Sequence, residues 1–211
     1  MTFDIWFLLG LGSLISLLFW IYGVVKRIWG FNPKVQKPKN IDTLIILGSG
    51  GHTSEMFKLC SSLNWKTFYP RTYIVADSDS NSIERLKVKD PEGHLIKTKR
   101  SRIVGQSYIT SVFTTSAAFV SSFEILNKHK PELILCNGPG TCLPMVVLGW
   151  AYKKMGLLSS RTKIIYIESI CRVKTLSLTA KLVGPFVDHT LVQWPELALR
   201  YPNTQYIDRF I

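Results

Sequence analysis

Ile41–Glu55 reads IDTLIILGSGGHTSE, an apolar run that breaks into glycines and then into residues able to start a helix. Ile41, Leu44, Ile45, Ile46 and Leu47 form a short, nearly continuous apolar block, the pattern of a strand buried on both faces of a parallel sheet. Gly48, Gly50 and Gly51 let the backbone turn sharply and approach a ligand with no Cβ in the way. Thr53 or Ser54 is then placed to cap a helix through Met56, Leu59, Cys60 and Leu63, whose free N–H groups would suit a phosphate. The spacing is not GxGxxG, because Thr53 stands where the third glycine would fall, and no Gly-Lys-Ser/Thr follows to make a Walker loop. Taken alone, the stretch fits a phosphate cradle and an ordinary βα turn about equally. The rest of the chain has to decide.

Upstream, Ile5 to Val25 contains no charged side chain, and a helix of that length spans about 30 Å, the thickness of a bilayer core. Trp6, Trp20 and Tyr22 lie near its ends as interfacial aromatics do, and only Asp4 precedes it, so a cleaved signal peptide lacks its basic leader. Lys26, Arg27, Lys34, Lys37 and Lys39 follow the span, which places the bulk of the chain in the cytosol. The expected organisation is therefore a short lumenal end at 1–4, a transmembrane anchor at 5–25, a basic linker at 26–40 and a cytosolic domain at 41–211.

Across 211 residues the formal net charge is +12, which points to an anionic partner: nucleic acid, acidic headgroups or a phosphorylated substrate. Much of that charge adjoins the apolar span, where headgroups account for it, so nucleic-acid binding is not expected. Cys60, Cys136, Cys142 and Cys171 form no CxxC pair and no zinc spacing with the four histidines, and they read as reduced thiols, mostly buried.

Downstream, strands are expected at Arg71–Ala76, His94–Thr98, Glu132–Cys136, Lys163–Ile167 and Thr190–Trp194, with helices at Asp79–Lys87, Ser107–Lys130, Leu143–Met155 and Thr175–Val183. The long Ser107–Lys130 segment is too polar for a second membrane span and reads as a crossover helix. A second glycine-rich turn, Asn137-Gly138-Pro139-Gly140-Thr141, follows the 132–136 strand, and two such turns at strand C-termini are what a cleft at the edge of a parallel sheet requires. Lys163–Ile167 delivers Glu168 and Ser169 to the same edge, with Arg172 and Lys174 close behind. The end of the chain, Tyr206-Ile207-Asp208-Arg209-Phe210-Ile211, is an apolar tail that closes no further unit and invites a partner.

Together, LGSGGHTSEM, NGPGT and YIES behind an N-terminal apolar span resemble one family over essentially the whole chain. This family is the membrane-anchoring subunit of the two-component N-acetylglucosaminyltransferase that adds the second GlcNAc to dolichol-diphosphate-GlcNAc in N-glycan assembly. A looser likeness exists to the N-terminal half of the bacterial transferase that completes the lipid-linked peptidoglycan precursor. The resemblance implies an α/β fold with a Rossmann-like parallel sheet, the acceptor-binding half of a GT-B glycosyltransferase, at the endoplasmic reticulum membrane and nuclear envelope. It also implies a separate soluble catalytic subunit that binds UDP-GlcNAc and docks on Tyr206, Ile207, Phe210 and Ile211.

Under this reading Gly48, Ser49, Gly50, Gly51, Gly138, Gly140 and Thr141 would hold the acceptor diphosphate through backbone N–H groups. His52 would accept a proton from the attacking hydroxyl, or Glu168 would do so or orient the sugar. No cofactor or metal is expected, since the chain has no histidine cluster. Two other classes stay open: a self-sufficient membrane-tethered enzyme using a nucleotide, and a membrane adaptor without catalytic residues.

Overall fold

The structure is a computed structural model that describes residues 40–98, 108–138 and 140–208. The expected anchor at 5–25, the linker as far as 39, and Phe210 and Ile211 lie outside the described residues. The chain runs β1 (Thr43–Ile46), α1 (Gly51–Cys60), β2 (Arg71–Ala76), α2 (Ser80–Lys89), β3 (His94–Thr98), α3 (Tyr108–His129) and β4 (Leu133–Asn137). It continues through α4 (Cys142–Met155), β5 (Lys163–Ile167), α5 (Leu178–Val183), a 3₁₀ turn (Gly184–Phe186), β6 (His189–Val192), α6 (Pro195–Arg200) and β7 (Gln205–Tyr206).

Among the described residues the strands form one sheet, ordered β3-β2-β1-β4-β5-β6-β7, with every neighbouring pair parallel. The order reverses between β1 and β4, the switch point at which a doubly wound sheet opens a crevice beyond its strand C-termini. Alternation along β1 shows how the sequence builds this. Leu44 and Ile46 enter one apolar layer with Ile134, Ile164, Met145, Val146 and Tyr152. Ile45 and Leu47 enter the opposite layer with Met56, Phe57, Tyr73, Val75 and Leu135. A central strand covered on both faces has no polar side to show, which is why 44–47 is uninterrupted; each such side chain stabilises the fold by roughly 1.5–3 kcal/mol.

The expected strands and helices fall within a few residues of those observed, with three corrections. Helix α1 starts at Gly51 with Gly50 as its N-cap and no side-chain cap, so neither Thr53 nor Ser54 caps it. Helix α5 starts only at Leu178, because the Ser177 hydroxyl accepts from the Ala180 amide and so fixes the first turn there. The tail closes a unit after all, since Gln205 and Tyr206 pair with Leu191 and Val192 and the Ile207 amide donates to the Val192 carbonyl. No described helix is long and apolar enough to cross a membrane, α3 included. The four cysteines are free thiols, buried except for Cys171.

At the rim where the strands begin, Arg71 and Asp90 form an ion pair with 2% and 1% of their side chains exposed. Arg71 Nη2 donates to Asp90 Oδ1 at 2.9 Å, Nη1 donates to the Trp65 and Phe68 carbonyls, and the guanidinium lies 4.5 Å from the Trp65 ring centroid. The Tyr73 hydroxyl donates to Asp90 Oδ2 at 2.8 Å. Burial pushes the Asp90 carboxyl up, but the hydrogen bonds from Arg71 and Tyr73 outweigh it and hold the group below the usual carboxylate range. The folded value is thus depressed, so the stabilisation is complete above the unfolded value near 3.9 and is lost as pH falls through the folded one. Asp90→Ala leaves buried Arg71 with only the exposed Glu92 carboxylate, 3.8 Å away, as counter-ion and should destabilise the domain by about 3–5 kcal/mol at pH 7, measured by urea unfolding. The gap to the wild type should close as pH is lowered below about 4.

Candidate functional site

The site grows from the two turns at the switch point. After Leu47 the chain turns through Gly48–Gly50, and Gly50 takes φ 63° and ψ −119°, a conformation that side-chain-bearing residues rarely adopt. Thr53 and Ser82 fix the turn from beneath. Thr53 Oγ1 donates to the Gly48 carbonyl and lies 2.6 Å from Ser82 Oγ, and both residues are buried. The hydroxyl expected to cap the helix instead ties the turn to α2, leaving the first-turn amides of α1 with no side-chain acceptor.

His52, the second residue of α1, reaches across to the other turn. Its Nδ1 lies 2.9 Å from Asn137 Oδ1 at the end of β4, a contact in which Nδ1–H donates to the amide oxygen and Nε2 points away from it. Its ring rests against Gly138, which has φ 88°, and a Cβ there would lie 2.7 Å from His52 Cγ. Glycine is therefore required at 138 twice over, by backbone conformation and by the imidazole. From below, the Tyr166 hydroxyl donates to the Gly138 carbonyl at 3.1 Å. Burial, followed by the nearby Glu168 carboxylate, pushes the Tyr166 phenol up and keeps it a donor.

Two buried carboxylates organise the loop after β5. Glu168, 1% exposed, accepts from the Ser169 amide on Oε1 (2.9 Å) and from the Ser177 amide on Oε2 (2.7 Å). Glu55, one helical turn after His52, accepts on Oε1 from the Ile170 amide (2.7 Å) and from Gln193 Nε2 (2.5 Å). Its other oxygen lies 3.9 Å from His52 Nδ1. Gln193 Nε2 also donates to the Glu168 carbonyl at 3.1 Å, and Trp194 Nε1 to the Ile170 carbonyl at 2.7 Å. The held loop closes one side of an open cleft of about 680 Å³ lined by His52, Glu55, Lys58, Ile170, Cys171 and Arg172, with Gly51, Ser54 and Ser169.

The structure thus brings together His52 and Gly138, with Gly51 at the cleft wall. Gly48 is buried and its carbonyl is used by Thr53 and Ser82; Ser49 is half-buried, Gly50 and Gly140 are exposed, and Thr141 sits at the N-cap of α4 without a side-chain cap bond. Glu168 lies behind the loop rather than on the cleft wall, since its oxygens face backbone donors. Tyr206 and Ile207 belong to the far edge of the sheet, where Tyr206 is 42% exposed. Three residues given no role in the sequence, Asn137, Glu55 and Gln193, carry the hydrogen bonding. Each had a signal: a polar group ending the apolar run LILCN, an acid three residues after a histidine on a helix, and an amide after TLV. Among the described residues no His, Cys, Asp or Glu cluster could hold a metal ion.

This strand order and this crevice define a Rossmann-like, doubly wound α/β domain. Solved structures that share the fold include MurG of Acinetobacter baumannii (TM-score 0.54, 11% identity, 82% of this chain and 44% of that one). A UDP-N-acetylglucosamine 2-epimerase also matches (TM-score 0.56, 14% identity, 81% and 48%). The chain therefore spans less than half of either. Its own family is more specific: the chain belongs to the family described as "Oligosaccharide biosynthesis protein Alg14 like", which matches residues 43–210. It is similar to the UDP-N-acetylglucosamine transferase subunit ALG14 of Yarrowia lipolytica, 39% identical over 183 residues, covering 83% of this chain and 82% of that protein. The Homo sapiens protein of the same name is 36% identical over 202 residues, covering 89% and 92%. The family resemblance carried by LGSGGHTSEM, NGPGT and YIES is borne out.

Gly138→Ala should displace the His52 ring and cost about 1–3 kcal/mol of stability from its strained φ. Imidazole resonances in the purified chain test this: those of His52 should move, while those of His94 and His189 stay in place.

Proposed function

We propose that this chain is the membrane-anchoring, acceptor-binding subunit of a UDP-GlcNAc transferase complex that adds the second GlcNAc, in β1,4 linkage, to dolichol-diphosphate-GlcNAc. The observation that carries the reading is His52, held by Asn137 and Gly138 at the switch point beside uncapped helix amides. In this arrangement the acceptor diphosphate lies along the Gly48–Gly51 turn and the start of α1, with Gly138, Gly140 and Thr141 opposite and Lys58 and Arg172 at the rim. The acceptor 4-hydroxyl loses its proton to His52 Nε2 as its oxygen bonds to C1 of the sugar; the C1–O bond to UDP breaks, and C1 inverts. The engagement of both Glu168 oxygens by backbone amides favours His52 as the base and gives Glu168 the loop-holding part.

The nucleotide sugar would come on a second, soluble subunit, which agrees with a chain that matches less than half of either structural neighbour and with relatives named as subunits. That subunit docks on the β7 edge and the tail beyond it, at Tyr206, Ile207, Phe210 and Ile211, on the cytosolic face of the endoplasmic reticulum and nuclear envelope. The apolar span at 5–25 supplies the anchor, and the chemistry needs no metal or cofactor.

Replacing His52 by Ala in the assembled complex should lower GlcNAc transfer by about a hundredfold or more, with partner binding unchanged. Full turnover in that variant would exclude the base role, and full turnover by this chain without a companion would exclude the division between subunits. Removing Tyr206–Ile211 should release the soluble subunit from membranes in a co-sedimentation assay; a complex that survives would place docking elsewhere.

A further inference from the structure

Beside the cleft, one surface gathers positive charge that the fold leaves unanswered. Ser54 and Lys58 on α1 and Ser61 at its C-cap are spaced by four and three residues and share a face; on α2, Arg85 and Lys89 are four apart and do the same. The two faces border a groove of about 490 Å³ that also includes Phe57. No carboxylate lines it, and among the described residues none pairs with Lys58, Arg85 or Lys89.

The groove is ordered by its own contacts. Arg85 Nη1 donates to Ser54 Oγ and lies 3.5 Å from the Gly50 carbonyl, which sets the guanidinium where the groove meets the glycine turn. Ser54 and Lys58 line both this groove and the His52 cleft, so the two are continuous. Three cations with two hydroxyls in a concave surface give the multiple charge-assisted hydrogen bonds that a phosphate accepts. The space has room for a phosphate ester with part of the group that carries it and falls short of the channel, several nucleotides long, that a nucleic-acid strand needs.

We propose that the α1/α2 groove is a second phosphate site, adjoining the acceptor cradle and sharing Lys58 with it, which takes the phosphate ester of an anionic headgroup next to the cleft. The phosphate chemistry stands on the groove alone; only the choice of a lipid as its source rests on the membrane-bound reading above. Occupation would hold the cleft close to the bilayer surface, where a lipid-borne acceptor must arrive.

The test follows backbone amide resonances of the full chain in neutral-detergent micelles doped with phosphatidic acid. Saturable shifts are expected at Ser54, Lys58, Ser61, Arg85 and Lys89. Neutralising Arg85 and Lys89 together, as Arg85→Gln with Lys89→Gln, should weaken the apparent affinity about 30-fold, from roughly fivefold per basic residue. Lys66→Gln with Lys87→Gln removes the same charge from outside the groove and should change it less than about twofold, while unmoved sheet resonances verify the fold in both variants. Glycerol 3-phosphate added to undoped micelles separates the sources: saturation at the same residues assigns a soluble phosphate ester, and saturation only in doped micelles assigns the headgroup. Absence of saturation with both probes, or equal weakening by the two variant pairs, overturns the proposal. His52→Ala should leave these shifts in place, so a failed base assignment and a failed groove assignment give different results.

Discussion

The contact between His52 and the Asn137–Gly138 corner is the constraint on which the rest of the site depends. It joins the turn after β1 to the turn after β4, two segments 85 residues apart in the chain and neighbours only because the sheet reverses its order there. The amide oxygen meets the ring at Nδ1, and the missing Cβ at 138 gives the ring its resting place. Neither partner could do this from a flexible loop. Asn137 is the last residue of a buried strand, and the Gly138 carbonyl is gripped from beneath by Tyr166.

Around that contact the fold places carboxylates where they act as fixed acceptors. An isolated buried carboxylate is costly, yet Glu55 and Glu168 are both buried, because backbone amides and the Gln193 side chain meet their oxygens. Hydrogen bonds of this charge-assisted kind contribute about 1.5–3 kcal/mol each. Their effect is to press residues 168–172 against the start of α1, so that Arg172 lines the same cleft as His52. The acids thus shape the cavity while basic side chains occupy its border.

Much of this was legible in the sequence, for physical reasons. Buried parallel strands must be apolar throughout, so ILIIL-type runs announce themselves, and turns needing positive φ must carry glycine, so LGSGGH and NGPGT mark the strand ends. The part that escaped reading concerns long-range pairing. A Thr at the start of a helix looks like a cap, and nothing local says that a Ser 29 residues later will compete for its hydroxyl. Glu168 likewise looks like a free acid at a strand end until the amide of Ser177 comes into view. The extended tail read as unattached because two residues are too few to register as a strand without β6 beside them.

The two rims of the sheet carry different kinds of work. Where the strands end lie the turns, the imidazole and the cations; where they begin lies the Arg71–Asp90 pair with its aromatic cover. Inherited or engineered changes should sort accordingly. Those at the second rim alter how much protein a cell accumulates, whereas exchanges of the exposed Arg172 at the first alter the cleft and leave abundance intact.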